Sequence, residues 1–192
     1  MITYLVLVIN AMLVSNMVFH YTLGICPYLG VSKKIETSLG MGLAVMFVLS
    51  LSSFVAFHIH KLVLAPLELG YLRTITFILV IASLVQLVEM ILKKFSQPLY
   101  QALGIYLPLI TTNCAILGVA LLNIRKDHNA LMVIFYSIGA SLGFALALLI
   151  FAGIRERLSL GTIPKSFKGF PIALVTAGIL SLAFLGFAGL GR

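Results

Sequence analysis

The stretch LGICPYLGV, residues 23–31, sets a cysteine against a proline and between glycines, in a chain that is otherwise strongly apolar. The other cysteine lies in NCAILGV, residues 113–119. Aligned on sulfur, both stretches read C-x-x-L-G-V. A second echo follows each one: SLGMGLA, residues 38–44, against SIGASLG, residues 137–143. The chain therefore reads as two related halves, roughly 1–95 and 96–192, each with one thiol near its start.

The surroundings of these motifs decide the solvent. Of 192 residues, 61% are hydrophobic and 9% are charged, with a mean hydropathy of +1.17. A water-soluble domain carries about 25% charged residues, so this chain cannot cover a water-facing surface. It reads as an all-α polytopic membrane protein forming a single transmembrane domain over residues 1–192. The net charge of +8 lies in short basic clusters between apolar runs. That pattern marks membrane topology, and it argues against a nucleic-acid partner. The N-terminal MITYLVLVINAMLV lacks a basic leader and a small-residue cleavage site, so the first helix is expected to stay.

Six apolar stretches are long enough for a crossing of about 20 helical residues. They run over roughly 3–25, 37–60, 71–92, 99–123, 130–154 and 170–190. Lys33, Lys34, Lys93, Lys94, Arg155, Arg157, Lys165 and Lys168 follow the odd-numbered spans. Only Lys61, Arg73, Arg125, Lys126 and Arg192 fall on the other side. The excess places the first group in the cytoplasm and both termini in the periplasm.

The first and fourth spans carry the two cysteine motifs, and three spans separate their starts. The copies therefore cross in opposite directions, as in inverted repeats whose functional sites lie near mid-membrane on interrupted helices. Counting helix rise from the nearest basic residues, Cys26 lies roughly 10 Å from the cytoplasmic edge and Cys114 roughly 14 Å, in a core of about 30 Å. Gly24, Pro27 and Gly30 crowd one motif, and Pro108 and Gly118 flank the other, so breaks are expected at both. Irregular backbone at that depth must be covered by protein or by a cofactor.

Three chemistries suit two such thiols. Free cysteine packs as a small hydrophobe. A disulfide would need Cα atoms within about 7 Å. Soft thiolates also select iron–sulfur clusters, zinc or copper(I). A 2Fe–2S cluster is normally held by four cysteines, so here a second chain with its own pair, or Asp or His, would complete the set. His58, His60 and His128 stand at span ends and are poor ligands; His20 reads as a satisfied bundle histidine. Burying thiolates without a counter-charge is costly, and ferric iron removes that cost.

Other polar residues read more plainly. Glu89 is the one carboxylate clearly inside a span and is a candidate for an ion pathway, although Lys93 one turn on supplies a helical partner. Asn113, Thr111 and Thr112 stand beside Cys114 and are placed to hydrogen-bond near a bound cluster or across helices. Asn10 and Asn16 read as helix–helix contacts. No residue is singled out as catalytic.

At LGICPYLGVSKKIETSLGMG (23–42), LGIYLPLITTNCAILGVALLN (103–123) and FAGIRERL (151–158) the chain closely resembles the RnfA/NqrE family of membrane subunits. The likeness spans essentially its whole length. CPYLGVSKKIET is closer to the RnfA branch, since proline after the cysteine is not expected in NqrE. The resemblance implies a multi-pass protein of the bacterial cytoplasmic (inner) membrane. Its Rnf complex would couple electron transfer between ferredoxin and NAD to Na+ or H+ movement. It further implies a pairing with the paralogue RnfE, of opposite topology, alongside RnfB, RnfC, RnfD and RnfG. The pair would share an intramembrane 2Fe–2S cluster, with Cys26 and Cys114 giving two of its ligands. The chain would then be one part of a translocase and not catalytic alone, in keeping with its lack of a nicotinamide, flavin or quinone fingerprint. The alternatives are an NqrE-like component of a Na+-pumping NADH:quinone reductase, a small secondary transporter whose cysteines only pack, or a scaffold protein of the complex without metal.

Overall fold

A computed structural model describes residues 2–66, 70–95, 107–161, 164 and 167–187, and every regular element among them is helical. Helices satisfy their own backbone hydrogen bonds, which a chain in lipid requires. In order they are α1 (Ile2–Ile9), running on as a π-helical turn (Asn10–Val14); α2 (Ile25–Val31); and α3 (Ile35–Ile59), which also ends in a π-helical turn (His60–Leu64). A short 3-10 turn (Gly70–Leu72) leads into α4 (Arg73–Phe95). Then come α5 (Leu107–Thr111), α6 (Cys114–Arg125), α7 (Ala130–Ser159) and α8 (Phe170–Leu185).

The centre is the pair α3 and α7, packed along their lengths. Small residues bring them together. A Cβ on Gly42 would stand 2.9 Å from Ala145 Cβ, and Ser38, Ser52, Ser53, Ser137 and Ser141 are all buried. Close backbone approach replaces the hydrophobic drive that lipid does not supply. α1 lies on α7 in the same manner: Cβ atoms on Gly139 and Gly143 would meet Val8 O at 2.9 Å and Met12 O at 2.8 Å. α6 packs on α3, and α4 on α3 and α6; α8 packs on α7 and on the π-helical turn after α1. Larger side chains such as Tyr28, Phe77, Phe144 and Phe151 fill the rest of the interior, and many others turn outward, among them Leu43, Phe47, Leu79, Ile179 and Leu182. An outer surface this apolar is the pattern of a membrane bundle.

Among the described residues, four helices are long and apolar enough to cross a bilayer: Ile35–Leu64, Gly70–Ile91, Pro108–Arg125 and Ala130–Ser159. The expected first and sixth spans instead give the shorter apolar helices Thr3–Val14 and Phe170–Leu185. The first expected span stops early because its backbone leaves the helix at Ser15, well before Cys26. The 16 residues of α8 rise about 24 Å, short of a 30 Å core. Residues 99–106 of the expected fourth span and 188–190 of the sixth lie outside the described residues.

Candidate functional site

Each cysteine begins a helix. The first approach is long. After Val14 the chain leaves the helix, and Asn16 organises the irregular segment. Its Nδ2 donates to Met12 O at 3.0 Å and to Gly143 O at 2.9 Å, and its Oδ1 accepts from Val18 N at 3.0 Å. Thr22 and Gly24 turn the chain with positive φ, 54° and 79°. Gly24 then caps α2, so Cys26 and Pro27 fall in that helix's first turn. Proline costs nothing there, because a first-turn N–H has no intrahelical partner.

α2 is held from α7. The Tyr28 ring stacks on Phe151 with centroids 4.3 Å apart and planes 14° from parallel. Arg155 Nη1 donates to Leu29 O at 2.8 Å and to Ser32 Oγ at 2.9 Å. The guanidinium thereby meets a carbonyl that a short helix leaves open at its C-terminal end.

The second approach is short. Thr112 Oγ1 donates to Pro108 O at 2.9 Å, and Asn113 N to Ile110 O at 3.2 Å, closing α5. Asn113 Oδ1 accepts from Ala115 N at 3.0 Å and caps α6, whose first residue is Cys114. Asparagine is a preferred cap because its oxygen reaches the open N–H groups of the first turn.

The two approaches meet. Gly24 N donates to Cys114 Sγ at 3.0 Å. A Cβ on Gly24 would press on Phe144 Cε2 at 2.8 Å and on Ala115 Cβ at 3.3 Å. Gly118 accepts the Leu23 side chain against its bare Cα. The breaks expected at both motifs therefore fall just before the cysteines, the first of them at Gly24, while Gly30 and Gly118 lie within regular helix. The role of Gly118 is to admit Leu23.

Both thiols are free and exposed. Packing cysteines are among the most buried side chains, and neither thiol is buried by this chain alone. Among the described residues, no group of three or more His, Cys, Asp or Glu side chains is placed to hold a metal ion. His58 Nδ1 pairs with Phe54 O at 3.0 Å and His128 Nδ1 with Asn123 Oδ1 at 2.9 Å. His60 lies edge-on to Phe77 with a buried Nδ1 that has no partner among the described residues, and His20 is exposed beside Tyr21, which corrects the expectation of a satisfied bundle histidine. Glu89 is half-buried on α4. Sequence reasoning reads Asn16 only as a contact between helices and does not single out Arg155 as a clamp. An arginine near a cytoplasmic span end counts toward topology, and that masks its contact with α2.

Residues 4–191 match the family described as Rnf-Nqr subunit, membrane protein. The chain belongs to the Rnf-Nqr family. Over 188 residues, 98% of each chain, it is 58% identical to the A-type component of the Na(+)-translocating ferredoxin:NAD(+) oxidoreductase complex of Acetobacterium woodii. It is 55% identical over the full length of both chains to the A-type component of the ion-translocating oxidoreductase complex of Histophilus somni. It is also 55% identical to the component of that name in Vibrio cholerae serotype O1, over 99% of this chain and 98% of the relative. In this Rnf-Nqr chain, then, the junction of the two cysteine motifs joins the first and second halves of the sequence at one point.

Proposed function

We propose that this chain is the A-type membrane component of an ion-translocating ferredoxin:NAD oxidoreductase in the bacterial inner membrane. In this reading Cys26 and Cys114 supply two of the four thiolates of a 2Fe–2S cluster shared with an RnfE-type paralogue. The observation that carries it is the Gly24 N–H donated to Cys114 Sγ, which sets the two cysteine motifs side by side while both thiols stay exposed. The full-length similarity to A-type components of such complexes supports the assignment to the complex.

The residues present suit such a group. Two thiols without a third ligand form half of a four-cysteine set, and an exposed half-site is what a shared cluster requires. The Gly24 N–H is a donor already aimed at ligand sulfur. When bound, the cluster supplies a one-electron site within the membrane. This chain's own share is to give up two thiol protons on ligation, to hold Cys114 at the start of α6 through the Asn113 cap, and to hold Cys26 through α2 and its clamp on α7.

An inverted repeat is part of the proposal, with six crossings and periplasmic termini. Because Cys26 aligns with Cys114, α2 pairs with α6 and the segment before it with α5. Exchanging the halves then turns α4 on α3 into α8 on α7, and α4 on α5 into α8 on the turn after α1; these contacts exist, and the α3–α7 pair maps onto itself. RnfB, RnfC, RnfD and RnfG complete the partners. Glu89 is the carboxylate assigned as a candidate for the Na+ or H+ path.

The test uses the complex purified with its paralogue. Cys26→Ser and Cys114→Ser are each expected to abolish the EPR signal of the reduced cluster and to stop ferredoxin-driven ion pumping. Undiminished pumping and iron content in both variants would return the chain to the class of small transporters with packing cysteines.

A further inference from the structure

The two asparagines that shape the breaks differ in one respect. Each offers Oδ1 to the backbone N–H two residues on, at 3.0 Å in both cases. Asn16 also uses Nδ2, which donates to Met12 O and Gly143 O. Asn113 does not: its Nδ2 is buried and has no partner among the described residues, in a side chain only 4% exposed.

The orientation of the Asn113 amide is fixed by chemistry. Ala115 N–H must meet an acceptor, so the oxygen faces it and the NH2 group faces the other way. An unmet buried donor costs about 1–3 kcal/mol, and in a lipid-embedded chain water does not relieve it. Such a group calls for an acceptor that arrives with a ligand. The adjacent residue is Cys114, whose sulfur already takes one backbone N–H from Gly24.

We infer that Asn113 is a positioning and tuning residue, whose Oδ1 holds Cys114 at the start of α6 and whose Nδ2 donates to sulfur of the iron–sulfur group bound there. This rests on the cluster reading above. Hydrogen bonds to the sulfurs help set the potential of an iron–sulfur centre. A donor favours the reduced form, which carries the extra negative charge, so it raises the potential.

The two roles separate by substitution. Asn113→Gly keeps a tolerable helix cap, at a cost of only a few tenths of a kcal/mol, and removes the amide. The complex with its paralogue is titrated potentiometrically, with EPR and iron analysis. The glycine variant is expected to keep its iron but to reduce about tenfold less favourably, a fall of about 59 mV for a one-electron couple. Pulsed EPR should show the loss of an exchangeable proton coupled to the reduced centre. An iron-loaded Asn113→Gly complex with the wild-type potential and the same coupled protons overturns the tuning role and leaves the cluster assignment standing. A wild-type complex without iron overturns both. Should the glycine variant fail to assemble, Asn113→Ser, with its shorter capping oxygen, is read by the same two measurements against the same outcomes.

Discussion

The two cysteine helices are reached by different routes. Residues 15–24 form a long irregular segment whose shape comes from distant parts of the chain: Gly143 O fixes Asn16, the Phe151 ring backs Tyr28, and Arg155 closes the end of α2. Phe19 in the same segment stacks on Phe184 of α8 at 4.4 Å. The second break is nearly local. One asparagine cap and two hydrogen bonds within α5 suffice to start α6 at Cys114. Cys26 is therefore positioned by tertiary packing on α7, and the start of α6 at Cys114 by local sequence, with the Gly24 N–H as the contact its sulfur takes from the other half. A displacement of α7 would carry the first thiol and leave the second nearly in place.

The strongest way to break this contrast is Asn16→Ala. It removes three hydrogen bonds and leaves Gly143 O and Val18 N without their partner. We expect a loss of about 2–4 kcal/mol, measured by thermal unfolding in detergent. Maleimide labelling should show altered reactivity at Cys26 and a smaller change at Cys114. Equal changes at both thiols would mean that the two breaks share one support.

Arg155→Ala comes next, with an expected loss of about 1–2 kcal/mol, because the carbonyl of Leu29 and the hydroxyl of Ser32 lose a charged donor. Arg155→Lys should restore only part, since both contacts come from Nη1 at the tip of the guanidinium and the ammonium of lysine does not sit at that point. Hydrogen exchange of α2 should rise in both variants while α6 stays protected.

The smallest effect sharpens the comparison at the far end of α6. In the loop after it, burial and then the charge of Lys126 hold His128 below its usual 6.5. The folded state thus binds this proton less readily than the unfolded chain. The stabilisation is present above about pH 6.5 and is lost as pH falls through the lowered value. The thermal midpoint should fall between pH 8 and pH 5 by more in the wild type than in His128→Gln, with no change in α2 exchange.

Much of this was legible in the residues. The membrane class follows from composition, and the repeated C-x-x-L-G-V picks out two motifs that touch where Gly24 N donates to Cys114 Sγ. The positions of the breaks were less legible. Glycine and proline suggested interruptions at both motifs, through Gly24, Pro27 and Gly30 at one and Pro108 and Gly118 at the other, and Gly24 does stand at the first. Yet Pro27 sits in the first turn of α2, where it is harmless, and Gly118 stays helical to admit Leu23. The actual departure at Ser15 lies inside an apolar run with no proline, and depends on a carbonyl of α7 far away in sequence. The same holds for Arg155, whose partners lie on a helix that hydropathy merged with the first span. Tertiary hydrogen bonds leave no periodicity to read.

The donor that Gly24 offers to Cys114 belongs to the main chain, so alanine scanning passes over it. Every amino acid but proline would keep the N–H, while Phe144 and the positive φ penalise any side chain placed there. An ester in place of that single amide would erase the contact and spare the packing, which makes chemical synthesis, not codon change, the tool that isolates it.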